Sequence, residues 1–301
     1  MQRKVIQIAD STQLVSLPRQ WVLKNNIKKG ESLEIEEFNN ALIIKILASS
    51  GIKEKKLELT IKSKDKFTPK QIISPYIQGF TELDVHYDDA EVFKLISEQL
   101  QYIIGFEIIS QGSNNCTIKS ISTELDNDID NIINRVFLSS ISMMREVIDA
   151  ASKSDTNRLC NLNPLELTNN KLSYFCLRIL NKEGYKNDPG KTTSIYYIIW
   201  SVEEIVDDLK ELCDYISRNR VVIDKQILSI SKKILSNFES AYKLFKQIDN
   251  QVLCELDRNI QNLQSEIKPL VKKCRNTETF ILALLYKINT GIGHILKEIT
   301  Y

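Results

Sequence analysis

The sequence predicts a multidomain α+β protein. It divides into a small N-terminal β domain over 1–48, a small α/β connecting domain over 49–122, and an all-α region over 123–301 arranged as tandem three-helix bundles. Three observations predict this. The chain has 301 residues, which at roughly 150 residues per domain is two domains or three. Hydrophobic residues make up 43% and charged residues 26%, the balance of a globular protein with a sizeable core. The apolar pattern alternates at period two through the first 48 residues and turns helical after residue 123.

The first four strands are short. Lys4-Val5-Ile6-Gln7-Ile8 and Gln13-Leu14-Val15-Ser16-Leu17 alternate as half-buried strands do, and Pro18 ends the second. Arg19 to Asn25 makes two helical turns behind that proline. Lys29-Gly30-Glu31 is a turn, Ser32 to Glu36 is the third strand, Phe38-Asn39-Asn40 turns a hairpin, and Ala41 to Lys45 is the fourth strand. A domain of this size can barely bury enough apolar surface to fold alone. A second copy intertwined with the first would supply what is missing.

Ser11-Thr12-x-x-Val15-Ser16-Leu17-Pro18-Arg19-x-Trp21, followed by Ile27-Lys28-Lys29-Gly30-Glu31-Ser32-Leu33-Glu34-Ile35 and Leu42-Ile43-Ile44, resembles the AbrB/SpoVT type of swapped-hairpin DNA-binding domain. The likeness covers about 40 residues. It departs from the pattern at the early turn, where Asp10-Ser11-Thr12 replaces the usual glycine; Asp and Ser tolerate turns. The resemblance implies a homodimer whose paired strands present basic side chains to double-stranded DNA. The candidates are Arg3, Lys4, Arg19, Lys24 and Lys28, with phosphate neutralisation and counterion release as their role.

Charge distribution agrees with a polyanion partner. The net charge of the chain is +1, yet residues 1–70 hold 14 Lys and Arg against 8 Asp and Glu, a net +6, and the remainder carries −5. The competing reading is an ordinary solvated lysine-rich surface.

The connector alternates strands with helices. Lys56 to Lys62 and Glu82 to Tyr87 read as strands. A helix from Thr68 to about Gln78 should be kinked or shortened by Pro75, and a second runs from Asp88 to Tyr102. Phe106 to Ile109 and Cys116 to Lys119 flank a Gly-Ser-Asn turn as a hairpin. Beyond residue 123 six helices are expected, at about 124–152, 164–183, 192–219, 224–249, 251–274 and 277–299, with Asp224 and Asn276 as N-caps. Ile198, Val202, Ile205, Leu209, Leu212 and Ile216 recur at steps of four and three and form a bundle seam.

One helical motif could carry chemistry. In Glu203-Glu204-Ile205-Val206-Asp207-Asp208, Glu203 and Asp207 are i, i+4 neighbours, as are Glu204 and Asp208. Like charges at that spacing repel, and a hard cation would offset the cost. Relative to the seam Glu203 lies at the edge and Asp207 further round, so such a cation would sit on the bundle surface. The competing reading is an acidic face balanced by Lys210.

Val202 to Asp208 is similar to a signature of PhoU-type phosphate-uptake regulators. Lys171-Leu172-Ser173-Tyr174-Phe175-Cys176-Leu177-Arg178 resembles the signature of their preceding helix. Ile103-Ile104-Gly105-Phe106-Glu107-Ile108-Ile109 resembles a segment of archaeal relatives that fuse an AbrB-like domain to such helices. The resemblance implies a surface metal, iron, manganese, zinc or magnesium, with Glu203 and Asp207 as ligands and Glu166 a weaker third. It also departs: the partner of Glu166 is Asn170, and the last helix offers only Tyr286 and Thr290 where acidic residues would stand.

Other motifs fail on inspection. Gly184 to Thr192 resembles a phosphate loop, but five residues separate its glycines and it lies between helices. Asp126-x-Asp128-x-Asp130 begins like a calcium loop but lacks its Gly and Glu. His294 has no His partner in an apolar helix. The six cysteines, 116, 160, 176, 213, 254 and 274, show no C-x-x-C spacing and read as free thiols. No signal peptide is visible, and no uninterrupted apolar run reaches the roughly 18 residues that span a bilayer.

Together these readings predict a cytoplasmic, homodimeric transcription regulator of phosphate uptake, not an enzyme and not inserted in a membrane. Its partners would be double-stranded DNA and a phosphate transporter's ATPase or a signalling protein. The alternatives are an interaction protein that regulates the transporter without binding DNA, and an antitoxin-like module.

Overall fold

A computed structural model describes residues 2–8, 12–38, 41–46, 55–63, 68–121, 128–273 and 276–299. The chain forms two compact units, Met1–Lys53 and Glu54–Tyr301. The architecture is the expected one: a small β region, then a mainly helical body that carries a sheet. The expected divisions at 48/49 and 122/123, and the turns at Asp10-Ser11 and Asn39-Asn40, lie outside the described residues.

In the first unit β1 (Ile6–Ile8) pairs antiparallel with β2 (Thr12–Leu14), Ile6 opposite Leu14. Pro18 precedes α1 (Arg19–Lys24), and its carbonyl accepts from the Val22 amide at 3.0 Å. The Asn25 side chain closes the helix by donating to the Trp21 carbonyl at 2.8 Å. β3 (Leu33–Phe38) pairs antiparallel with β4 (Ala41–Ile46), Phe38 opposite Ala41, the register a two-residue loop imposes. Among the described residues these are two separate two-stranded sheets.

The second unit begins with a four-stranded sheet in the order β5-β6-β8-β7. β5 (Lys56–Ile61) runs parallel to β6 (Glu82–Tyr87) through the crossover helix α2 (Lys70–Ile77). α3 (Ala90–Gln99), capped by Asp89, leads to the hairpin of β7 (Phe106–Gln111) and β8 (Asn115–Ser120). α2 is short, and Pro75 lies inside it.

The helices are α4 (Ile129–Ser152), the short α5 (Thr156–Cys160), α6 (Asn163–Glu183), α7 (Thr192–Asn219), α8 (Lys225–Lys246), α9 (Asn250–Lys273) and α10 (Asn276–Ile299). Asp128, Asp155 and Asp224 each accept from a first-turn amide and so cap α4, α5 and α8. α4, α6 and α7 pack as one three-helix set and α8, α9 and α10 as another, joined most extensively between α7 and α10. All six seam residues of α7 are buried. At Gly291 a Cβ would come within 3.1 Å of the Ile205 side chain, so glycine lets α10 approach α7 closely.

α10 corrects one expectation. Thr277–Ile299 is long and apolar enough, by length and composition, to cross a membrane. In this fold it packs against α7, α8 and α9, and half of its apolar window is buried inside the protein. Three neighbouring helices account for its apolarity. A buried polar link also ties it in place: Asn289 donates to the Ile260 carbonyl at 3.0 Å and accepts from Asn237 at 3.1 Å.

The sheet is fixed to the helices through α6. Arg178 is 6% exposed and stacks 4.7 Å from the Tyr76 ring centre and 5.0 Å from that of Phe106. Its guanidinium donates to the Tyr76 carbonyl, and Asn181 donates to that of Ile77 at 2.9 Å. Gly79, at φ +84°, follows α2; any side chain there would be strained and would collide with Lys182 of α6.

Candidate functional site

Two sets of residues were expected to carry function, and each lies in a different unit. The basic set belongs to the N-terminal unit. Arg3 and Lys4 precede β1, Arg19 and Lys24 open and close α1, and Lys28 follows it; all five are exposed. Among the described residues none of them forms an ion pair, so their charges are available to an external anion. Lys29 adds an exposed cation that the motif reading did not single out.

Burial around them is the stronger observation. No described side chain of this unit is buried. Val5, Ile6, Ile8 and Leu14 of the first hairpin, Leu23 of α1, and Ile35 and Leu42 of the second hairpin are all between 44% and 67% exposed. Apolar strand faces left bare on two isolated hairpins are unstable in water. They require a covering surface.

The unit boundary also refines the charge argument. Met1–Lys53 holds eight Lys and Arg against five Asp and Glu, a net +3, and residues 54–70 supply the other +3. Half of the positive excess in residues 1–70 thus sits on the body, where Lys56 is committed to Glu82 at 2.8 Å.

The acidic set lies on α6 and α7. Glu166, Asn170 and Tyr174 follow one another at steps of four along α6. The Tyr174 hydroxyl donates to Glu203 Oε1 at 2.9 Å, and Asn170 donates to Glu166 Oε1 at 2.7 Å. Asn170 Oδ1 is buried without a partner. Glu203 is only 6% exposed, because α6 covers it, while Asp207 reaches solvent. Burial, then the Asp207 charge, pushes the Glu203 carboxyl up to about 7. Glu166 is raised by the same two causes in the same order. Tyr102, from the short turn after α3, is raised by burial and then by the charges of Glu166 and Asp207, which places it near the same acids. Tyr102 and Tyr174 were missed by the motif reading, which looked for ligands and not for the hydroxyls around them.

The other two acids of the motif go elsewhere. Asp208 is buried and pairs with Lys287 of α10 at 2.7 Å. Lys210 does not balance the motif: it pairs with Asp214 at 3.1 Å and also donates to Asn163. Among the described residues no group of three His, Cys, Asp or Glu side chains is placed to hold a metal ion. The α6–α7 acids are satisfied instead by neutral donors, so the chemistry they support as they stand is that of a buried, proton-retaining carboxyl network. Tyr286 lies under Lys268, and Thr290 accepts from Gln264 at 3.2 Å, a neutral arrangement. Asp126 of the calcium-like stretch lies outside the described residues. The described cysteines are free, and Cys274 lies outside the described residues.

A family model described as antidote-toxin recognition MazE, bacterial antitoxin, matches residues 6–54. The N-terminal unit is of that MazE/AbrB type. The match ends where the first unit ends, and it lends no support to the likeness between the helical body and phosphate-uptake regulators. No curated protein matches the chain, and no solved structure does.

Proposed function

We propose that this protein is a DNA-binding regulator that acts as a homodimer, with the N-terminal unit meeting double-stranded DNA and the helical body receiving the signal. The observation that carries the proposal is the bare apolar surface of a unit that also holds free cations. A second copy would cover Ile6, Ile8, Leu14, Ile35 and Leu42 and bring two sets of Arg3, Lys4, Arg19, Lys24 and Lys28 onto one surface. The family match supports this use of the unit. The contact would be with phosphates, so affinity would fall steeply with salt.

The test is fluorescence anisotropy with duplex DNA across a salt series. Arg19→Ala with Lys24→Ala is expected to weaken binding on all sequences and to lower the log–log salt slope by about two. Wild-type protein that fails to bind at low salt, or a double variant with an unchanged slope, would overturn the phosphate role. Sedimentation of wild-type protein as a monomer would remove the dimer.

The finer reading assigns the signal to phosphate status and the partner to a transporter ATPase or a signalling protein in the cytoplasm. It rests on the helix-motif resemblance alone. DNA immunoprecipitation under phosphate-rich and phosphate-poor growth tests it, and identical occupancy in both would discard it. The description of the matched family favours a second reading, that the chain neutralises a toxin. A dimer without DNA affinity would favour this reading or a transporter-binding protein.

A further inference from the structure

The helical body has a cleft that neither the DNA contact nor the acidic motif uses. It has a volume of about 440 Å³, within the range of small-molecule sites. It lies where the start of α4 and the start of α7 meet the ends of α8 and α10, so both three-helix sets contribute to it. Its floor is apolar, made by Ile195, Ile198, Leu244 and Phe245, and Ile248 at its wall is 59% exposed.

The wall is held in place by its own hydrogen bonds. Tyr185 and Asn187, from the loop between α6 and α7, donate to the two carboxylate oxygens of Asp130, each at 2.7 Å. Lys246 is tethered through Asn134 Oδ1 at 2.9 Å. Asp188 caps Gly190 and stands 4.0 Å from Lys191. Asp130 and Asp188 are thereby engaged. Lys246 and Glu298 also line the cleft, and among the described residues neither forms an ion pair, with each other or with anything else. Opposite charges that line one cleft without pairing leave room for a ligand that carries both.

We propose that this cleft binds a small zwitterion with an apolar side chain, the chemistry of an aliphatic or aromatic α-amino acid. The ligand carboxylate meets Lys246 and Lys191, its ammonium meets Glu298, and its side chain lies on the Ile/Leu/Phe floor. A simple carboxylate would leave Glu298 unpaired beside it, and a simple amine would leave the lysines unpaired. The inference stands apart from DNA binding, and calorimetry reads it without DNA.

Isothermal titration of the full chain with L-leucine and with L-phenylalanine tests it, using 4-methylpentanoate and 3-methylbutylamine as singly charged comparators. We expect saturable binding of at least one amino acid at one site per chain. Each comparator should bind about tenfold more weakly, and Lys191→Ala with Lys246→Ala, or Glu298→Gln alone, should each cost about tenfold or more. These side chains are solvent-accessible, so the variants should fold. No saturable binding of either amino acid, equal binding of a comparator, or affinity unchanged in the variants would overturn the proposal.

Discussion

Phe137→Ala is expected to destabilise the helical body by about 3–5 kcal/mol, among the larger losses a single core truncation produces. Phe137 is fully buried on α4. Its ring lies 5.2 Å from that of Tyr242, 5.2 Å from Phe245 and 6.1 Å from Phe238, all on α8. Aromatic pairs at these separations contribute beyond their buried area. The cluster therefore staples one three-helix set to the other, and truncation leaves a cavity that three rings on a single rigid helix cannot collapse to fill. Urea unfolding followed by circular dichroism reads the loss, with Phe137→Leu as the milder control at about 1–2 kcal/mol. A Phe137→Ala loss below about 1 kcal/mol would mean that the staple does not form. Because Phe245 also lines the cleft, the same variant should weaken amino-acid binding there without touching a charged group.

Local pattern made most of this fold legible. The α7 seam from Ile198 to Ile216 stands out because a helix buried along one stripe repeats its apolar residues at steps of three and four, and all six are buried. The connector's strands and helices fell within a few residues of their expected places for the same reason. α5 escaped notice because five residues are too few to show a period; its one signal is Asp155, which accepts from the Arg158 amide. Strand order was not legible either. Nothing in the alternation of Lys56–Ile61 says that it lies parallel to Glu82–Tyr87 at the sheet's edge, since pairing is decided by the crossover and by packing on α6.

The candidate sites show the same limit. A helical wheel fixes where Glu203 stands on α7, which put it at the seam's edge near solvent. Whether water reaches it depends on α6, and the covering residues Asn170 and Tyr174 come from a chain segment about thirty residues away. Asp208 likewise finds Lys287, 79 residues along the chain. The basic residues of the N-terminal unit were legible as a set, because exposed charges need no partner to be recognised.

Glu203→Gln is expected to stabilise the protein at pH 8 and to change little at pH 5. The ordinary glutamate value is 4.5, and burial followed by Asp207 raises Glu203 to about 7 in the folded chain. The folded state therefore holds this proton more tightly than the unfolded state does. Between pH 4.5 and 7 unfolding releases a proton, so stability falls as pH rises through that window, and the whole penalty is present above it. At the printed shift the penalty is at most about 3 kcal/mol. Glutamine removes the charge and keeps an oxygen to accept from Tyr174, so it relieves the penalty only where Glu203 would be ionised. Some pH dependence will persist, because Glu166 and Asp207 are also raised. Chemical unfolding of chelator-treated wild type and variant at both pH values measures the difference. A gain at pH 5 equal to that at pH 8 would show that the effect is packing and not charge. Elemental analysis of the untreated proteins separates the remaining case: metal present in wild type and absent from a Glu203→Ala, Asp207→Ala variant would make these carboxylates ligands, and the glutamine would then destabilise the loaded protein at pH 8.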